Sequence, residues 1–124
     1  MHSLARQAYG QVQHRTAGPK EIEHAVFEQI TEALQDVAKT EAPVPNVYAD
    51  AVSRNMELWT ILAADLMSDA NALPLETKQG LLGLSEFVRR TSMTLLTEGG
   101  DVTDLIDVNI AIMRGLRGDA SVAA

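Results

Sequence analysis

Three histidines, His2, His14 and His24, are the only imidazoles in a chain that has no cysteine. Disulfides, thiolate metal sites and thiol nucleophiles are therefore excluded, and a reducing cytoplasmic setting fits by default. Glu21-x-x-His24 has the i, i+3 spacing of the carboxylate-bridged di-metal elements found in helical bundles. Such a site needs a second pair and two further inward glutamates. Only one pair is present, and His24 falls opposite the apolar stripe of its own helix. The spacing thus reads as a solvated helix start, with Glu28 one turn beyond His24. No G-x-S-x-G nucleophile elbow, phosphate loop or G-x-G-x-x-G occurs. Gly80-Leu81-Leu82-Gly83 is too short for either glycine motif, and Glu98-Gly99-Gly100-Asp101 reads as a helix terminator. The expectation is a protein that is not an enzyme and has no catalytic, cofactor-binding or metal-binding residues.

The remaining chemistry is hydrogen bonding. Asn55 and Asn109 each fall in the middle of an apolar arc, where an amide needs partners. They are candidate structural polar residues, bonding the backbone or each other and fixing helix register. The other reading has them face a groove and pair with the backbone of a bound peptide. Trp59, the single tryptophan, also has two readings: core residue, or anchor at a binding centre.

These residues must be carried by helices. Leu4, Ala5, Ala8, Tyr9 and Val12 share one side of a helix over Leu4 to Arg15, which reads equally as a frayed arm. A second helix starts at Gly18-Pro19, with glycine as cap and proline in the first turn. Ile22, Val26, Ile30, Ala33, Leu34 and Val37 form its stripe, and it stops near Thr40 ahead of Pro43-Val44-Pro45. The spacing predicts a third helix capped by Asn46 and running to Met67. Tyr48, Ala51, Val52, Leu58, Trp59, Leu62, Ala63 and Leu66 cover half its circumference, as in a helix with more than one neighbour. A fourth has Pro74 at its first position and runs to Leu96. Its main stripe is Leu81, Leu84, Phe87, Val88, Thr91 and Leu95, with Leu75, Leu82 and Met93 on another side. Gly80 and Gly83 each cost a helix about 1 kcal/mol relative to Ala, and close approach of a neighbouring helix would account for them. A fifth helix runs from Thr103 to Arg117-Gly118, with Leu105, Ile106, Ile112, Met113 and Leu116 pointing one way. No strand pattern competes. The expected fold is all-α: a compact bundle of four to five mostly antiparallel helices in a single domain over residues 1–118, with a disordered tail over 119–124.

Composition agrees. The 124 residues are 46% hydrophobic and 22% charged, with 10 Lys+Arg against 17 Asp+Glu and a net charge of −7. That suits one globular domain. It gives no electrostatic reason to bind a phosphate backbone or an anionic membrane, and the 4% of aromatic residues leaves few rings for base stacking. Direct nucleic-acid binding and membrane association are not expected. No signal peptide is visible at the start, and no stretch spans a bilayer. The wheels leave Ile61, Leu82 and Met93 off the main stripes, so they are candidate partner-binding residues. Leu82 and Met93 would serve a second copy of the chain equally well.

Longer motifs add to this. Asn55-x-x-Leu58-Trp59-Thr60-Ile61-Leu62-Ala63-Ala64-Asp65-Leu66, then Asn71-Ala72-Leu73-Pro74, resembles the signature of the FlaF family of flagellar biosynthesis regulators. So do Leu84-Ser85-x-Phe87-Val88 and Leu105-Ile106-Asp107-Val108-Asn109-x-x-Ile112-x-x-Gly115-Leu116-Arg117. Ala8-Tyr9 followed by Pro19-x-x-Ile22-Glu23 looks like the family's opening pattern, with Gly18 where a serine is frequent. The resemblance implies a cytoplasmic protein of flagellated alphaproteobacteria that promotes flagellin production or export. Family members are linked to post-transcriptional control of flagellin, opposing the repressor FlbT, and to a secretion-chaperone role for flagellin. Flagellin, or FlbT in its place, is then the expected partner. The motifs add Leu58, Trp59 and Leu62 to the candidate partner-binding residues.

Overall fold

The computed structural model describes residues 19–116, with side chains from His24 to Gly115. The Leu4 to Arg15 segment, the cap at Gly18, the stop at Arg117-Gly118 and the 119–124 tail lie outside the described residues. So do the side chains of Glu21, Ile22 and Leu116. Within that range the chain is all-helical, without a strand. It forms α1 (Pro19–Lys39), α2 (Pro45–Leu66), α3 (Leu75–Glu98) and α4 (Thr103–Leu116).

On α1 the stripe Val26, Ile30, Leu34 and Val37 is buried, and Ala33 packs against it. Phe27 and Thr31 extend it at one edge and are also sealed in, which the stripe alone did not show. The last turn closes through Thr40, whose N–H reaches the Val37 carbonyl at 3.2 Å and whose hydroxyl donates to the Asp36 carbonyl at 2.9 Å.

Asn46 does not cap α2. Val44 occupies that position in an extended conformation without any side-chain cap, and Pro45 is already helical. Proline has no N–H to satisfy and presets φ for the first turn, so the entry needs one cap bond fewer. Pro74 differs from expectation in the opposite sense. It is the residue before α3, with ψ of 146°, and Leu75 is the first helical residue. The preceding turn is held by its own side chains. Asn71 donates from Nδ2 to Asp65 at 3.0 Å and accepts the Leu73 N–H at 3.0 Å. α3 ends at Gly99, whose φ of +76° suits a residue without Cβ. α4 is entered through Asp101, whose Oδ1 accepts both the backbone N–H and the hydroxyl of Thr103.

One cluster forms the core. Val26, Phe27, Ile30, Leu34 and Val37 of α1 meet Ala51, Val52, Leu58, Trp59, Leu62 and Leu66 of α2, with Val88 and Leu95 of α3. Val102, Leu105 and Ile106 close it. The Phe27 and Trp59 rings meet edge to face, centroids 5.6 Å apart at 81°, an arrangement that the ring quadrupoles favour. α2 packs on α3 and on α1, and α1 packs on α4. The α3–α4 contact is the thinnest of the four. At one pole Val37, Tyr48, Gly100 and Val102 line a single cleft, so the end of α1, the start of α2, the end of α3 and the start of α4 gather there.

Two expectations about α3 fail for one reason. Phe87 is 36% exposed instead of buried in the main stripe. Among the described residues, a Cβ added at Gly80 or Gly83 would meet nothing within 4 Å, so no described helix presses on either glycine. All three lie on the flank of α3 that is turned from α2, where α4 barely reaches.

Candidate functional site

The buried polar residues converge on one amide. Asn109, near the middle of α4, has 0% exposure, as does Asn55 on α2. Asn109 Nδ2 donates to Asn55 Oδ1 at 2.6 Å and to Thr31 Oγ1 at 3.1 Å. Its Oδ1 accepts the indole N–H of Trp59 at 2.9 Å. Both amide hydrogens and the carbonyl are thereby used, and the bonds tie α1, α2 and α4 together. The two asparagines bond each other and face no groove. Sequence reading missed Thr31 altogether, because a threonine beside an apolar stripe carries no periodic signal. Among the described residues three buried side-chain polar atoms, Arg54 Nε, Asn55 Nδ2 and Ser92 Oγ, have no hydrogen-bond partner.

A second long-range bond closes the pole. The Tyr48 hydroxyl donates to the Gly100 carbonyl at 2.9 Å. Partial burial raises the pKa of that hydroxyl, and the negative charge of Asp101 adds to the rise. Asp101 in turn is held below the usual carboxylate range by the side-chain and then the backbone hydrogen bond from Thr103.

The candidate partner-binding residues separate by depth. Leu58, Trp59 and Leu62 are core residues with exposures of 7%, 1% and 9%. The broad apolar arc of α2 that carries them is covered by α1 and α3 together. Ile61 and Leu82 are half-buried and packed against the core. Met93 is exposed.

Leu82 lines a shallow groove along the outer seam of α2 and α3. Met56, Thr60 and Ala63 form one wall, and Ser85, Glu86 and Arg89 the other, over the backbone of Trp59. The Ser85 hydroxyl reaches the Trp59 carbonyl at 3.4 Å and stitches the floor. Arg89 grips Glu86 through two bonds of 3.0 and 2.6 Å. Arg89 thereby holds the Glu86 carboxyl below its usual range. The pair stands in water, so it orders the rim more than it stabilises the fold. Met93 and Leu75 share the Leu82 side of α3 by helical spacing. Met67 follows α2 at the near end, and Met67, Leu75 and Met93 are all at least half exposed. Three of the five methionines, Met56, Met67 and Met93, thus border one face. Unbranched thioether side chains adapt to partners of varied shape.

Among the described residues no group of three or more His, Cys, Asp or Glu could hold a metal ion. His24 lines a cleft with Glu28, Glu32 and Arg114, between α1 and α4. No helix of the described residues is long and apolar enough to cross a membrane.

These features define a small helical domain with a hydrogen-bonded polar centre in its core and a mixed apolar and polar outer seam bordered by methionines. The family model for the flagellar protein FlaF matches residues 5–116, and the chain belongs to that family. No curated protein and no solved structure matches the chain.

Proposed function

We propose that this flagellar protein is a cytoplasmic binding module for flagellin, which it guards before export and whose synthesis it thereby promotes. It has no catalytic step of its own. The observation that supports this reading is the α2–α3 groove lined by Met56 and Leu82, with exposed Met67 and Met93 beyond its two ends, which suits the apolar face of an amphipathic helix. Flagellin's terminal segments are such helices and aggregate when unassembled, so a partner that covers them is chemically sensible. In this reading the helices form a mostly antiparallel bundle. The Tyr48–Gly100 and Trp59–Ser85 bonds support that pairing for α2 and α3. The net charge of −7 disfavours direct contact with messenger RNA.

Titration calorimetry with purified flagellin tests this. We expect micromolar or tighter binding, weakened at least tenfold by Met93→Asp with the melting temperature unchanged. No binding by the natural chain would overturn the reading. The second reading, action through the repressor FlbT without contact to flagellin, predicts instead that FlbT alone co-purifies.

A further inference from the structure

The side of α3 that edges the α2–α3 seam alternates apolar and cationic residues. Leu75, Lys78, Leu82, Arg89, Met93 and Leu96 follow one another at steps of three, four or seven, and so share one side of the helix. Leu75, Met93 and Leu96 are exposed, and Leu82 is partly buried. Lys78 is partly buried as well and has no ion pair among the described residues. The opposite wall of the groove, Met56, Thr60 and Ala63 of α2, carries no charge. Glu57 is turned about 100° around α2 from Met56 and does not line the groove.

The one carboxylate on the α3 rim does not neutralise it. Glu86 holds Arg89 through bonds of 3.0 and 2.6 Å and stands 3.7 Å from Arg90, so a single negative charge lies between two guanidiniums. Arg89 spends Nε and Nη2 on Glu86, which leaves Nη1 for a further acceptor. With Lys78 the rim is net positive, in a chain that has 17 Asp+Glu against 10 Lys+Arg. The local charge of the seam thus opposes that of the whole molecule. An apolar groove with a cationic edge is complementary to an apolar stripe with an anionic edge.

We propose that the α2–α3 seam selects an amphipathic helix whose apolar stripe is edged by carboxylates, and that Lys78 and Arg89 read those carboxylates. This inference rests on the reading of the seam as a docking surface and names the chemistry of what it takes. Lys78 and Arg89 are 11 positions apart, about 16 Å along α3. Two carboxylates three helical turns apart on the guest meet both, while its apolar stripe covers Leu82 and Met56 between them. The guest's apolar flank withdraws each charged contact from water, so the pairs contribute more to the choice of partner than ion pairs standing alone at the surface.

Two synthetic helices, added to the full-length chain, test this. Both carry the same leucine stripe, and the two edge positions are Glu in one and Lys in the other, residues equally compatible with a helix. Fluorescence anisotropy at about 0.1 M salt, where charges beyond about 10 Å are screened, should show the Glu peptide bound at least about tenfold more tightly. The net charge of the chain alone predicts the reverse. At about 1 M salt the ratio should fall below about threefold. Lys78→Glu with Arg89→Glu should invert the preference. Lys39→Glu with Arg114→Glu makes the same change in net charge away from the seam and should still favour the Glu peptide at least about threefold. Arg89→Gln alone, at an exposed position, should lower the preference at least about threefold and covers the case in which the double variant does not fold. Equal binding of the two peptides, tighter binding of the Lys peptide, no binding of either, or a preference untouched by the Lys78 and Arg89 variants would overturn the proposal. The flagellin titration is read separately. Flagellin that fails to bind a chain still preferring the Glu peptide removes flagellin as the partner and leaves this chemistry in place. Flagellin that binds a chain indifferent to the two peptides does the opposite.

Discussion

The indole N–H of Trp59 donates to Asn109 Oδ1 across 2.9 Å, joining residues 50 positions apart in sequence. That bond makes the single tryptophan a part of the polar centre of the core as well as of its apolar mass. Through Asn109 it links the ring packed on Phe27 to Asn55 and Thr31. A network of this kind is sensitive to any one deletion, since each buried polar group left alone costs about 1–3 kcal/mol.

Asn109→Ala is the most severe case. It strands the Trp59 N–H and removes the donor to both Asn55 and Thr31. We expect a loss of about 3 kcal/mol or more in urea unfolding at neutral pH. A loss under about 1 kcal/mol would mean that the network contributes little.

Trp59→Phe separates packing from hydrogen bonding. The smaller ring can keep its edge-to-face contact with Phe27, but Asn109 Oδ1 loses its donor. The expected cost is about 2 kcal/mol. Combined with Asn109→Leu, the two changes should be less than additive, as measured by a double-mutant cycle.

The α3–α4 connection depends on two glycines. Gly99 has φ of +76° and Gly100 φ of +130°, and a Cβ at Gly100 would approach Leu95 Cδ2 at 3.3 Å. Gly99→Ala should destabilise by about 1–2 kcal/mol through backbone strain. Gly100→Ala should destabilise as well, with Leu95 forced to yield. Thermal melts of both variants check this.

Acid should weaken the same connection. Asp101 has a folded-state pKa below its ordinary value because Thr103 bonds the charged form. Its contribution to stability is therefore complete above the ordinary carboxylate range and is lost as pH falls through the depressed value. Denaturant midpoints for the natural chain and Asp101→Asn should differ most at neutral pH and converge as pH falls below the ordinary carboxylate range. A difference that stays constant with pH would assign the effect of the substitution to something other than this carboxylate.

Periodicity made the helical segments legible, because a helix against a core must repeat its apolar residues every third or fourth position. The stripe of α1 and the stop signals at Pro43 and Gly99 are plain examples. The two asparagines stood out for the same reason, as polar interruptions of an apolar arc. Their partners did not. Thr31 and Trp59 reach Asn109 only because α1, α2 and α4 meet at one level, and no spacing within one helix encodes that meeting. Depth was equally hidden. A wheel shows which residues share a side of α2, but not that α1 and α3 together cover Leu58, Trp59 and Leu62, or that α4 leaves Phe87 and the glycines of α3 open. Local pattern follows from the helical repeat that every residue obeys. Burial and long-range hydrogen bonds follow from where whole helices come to rest against each other, a property of the assembled chain.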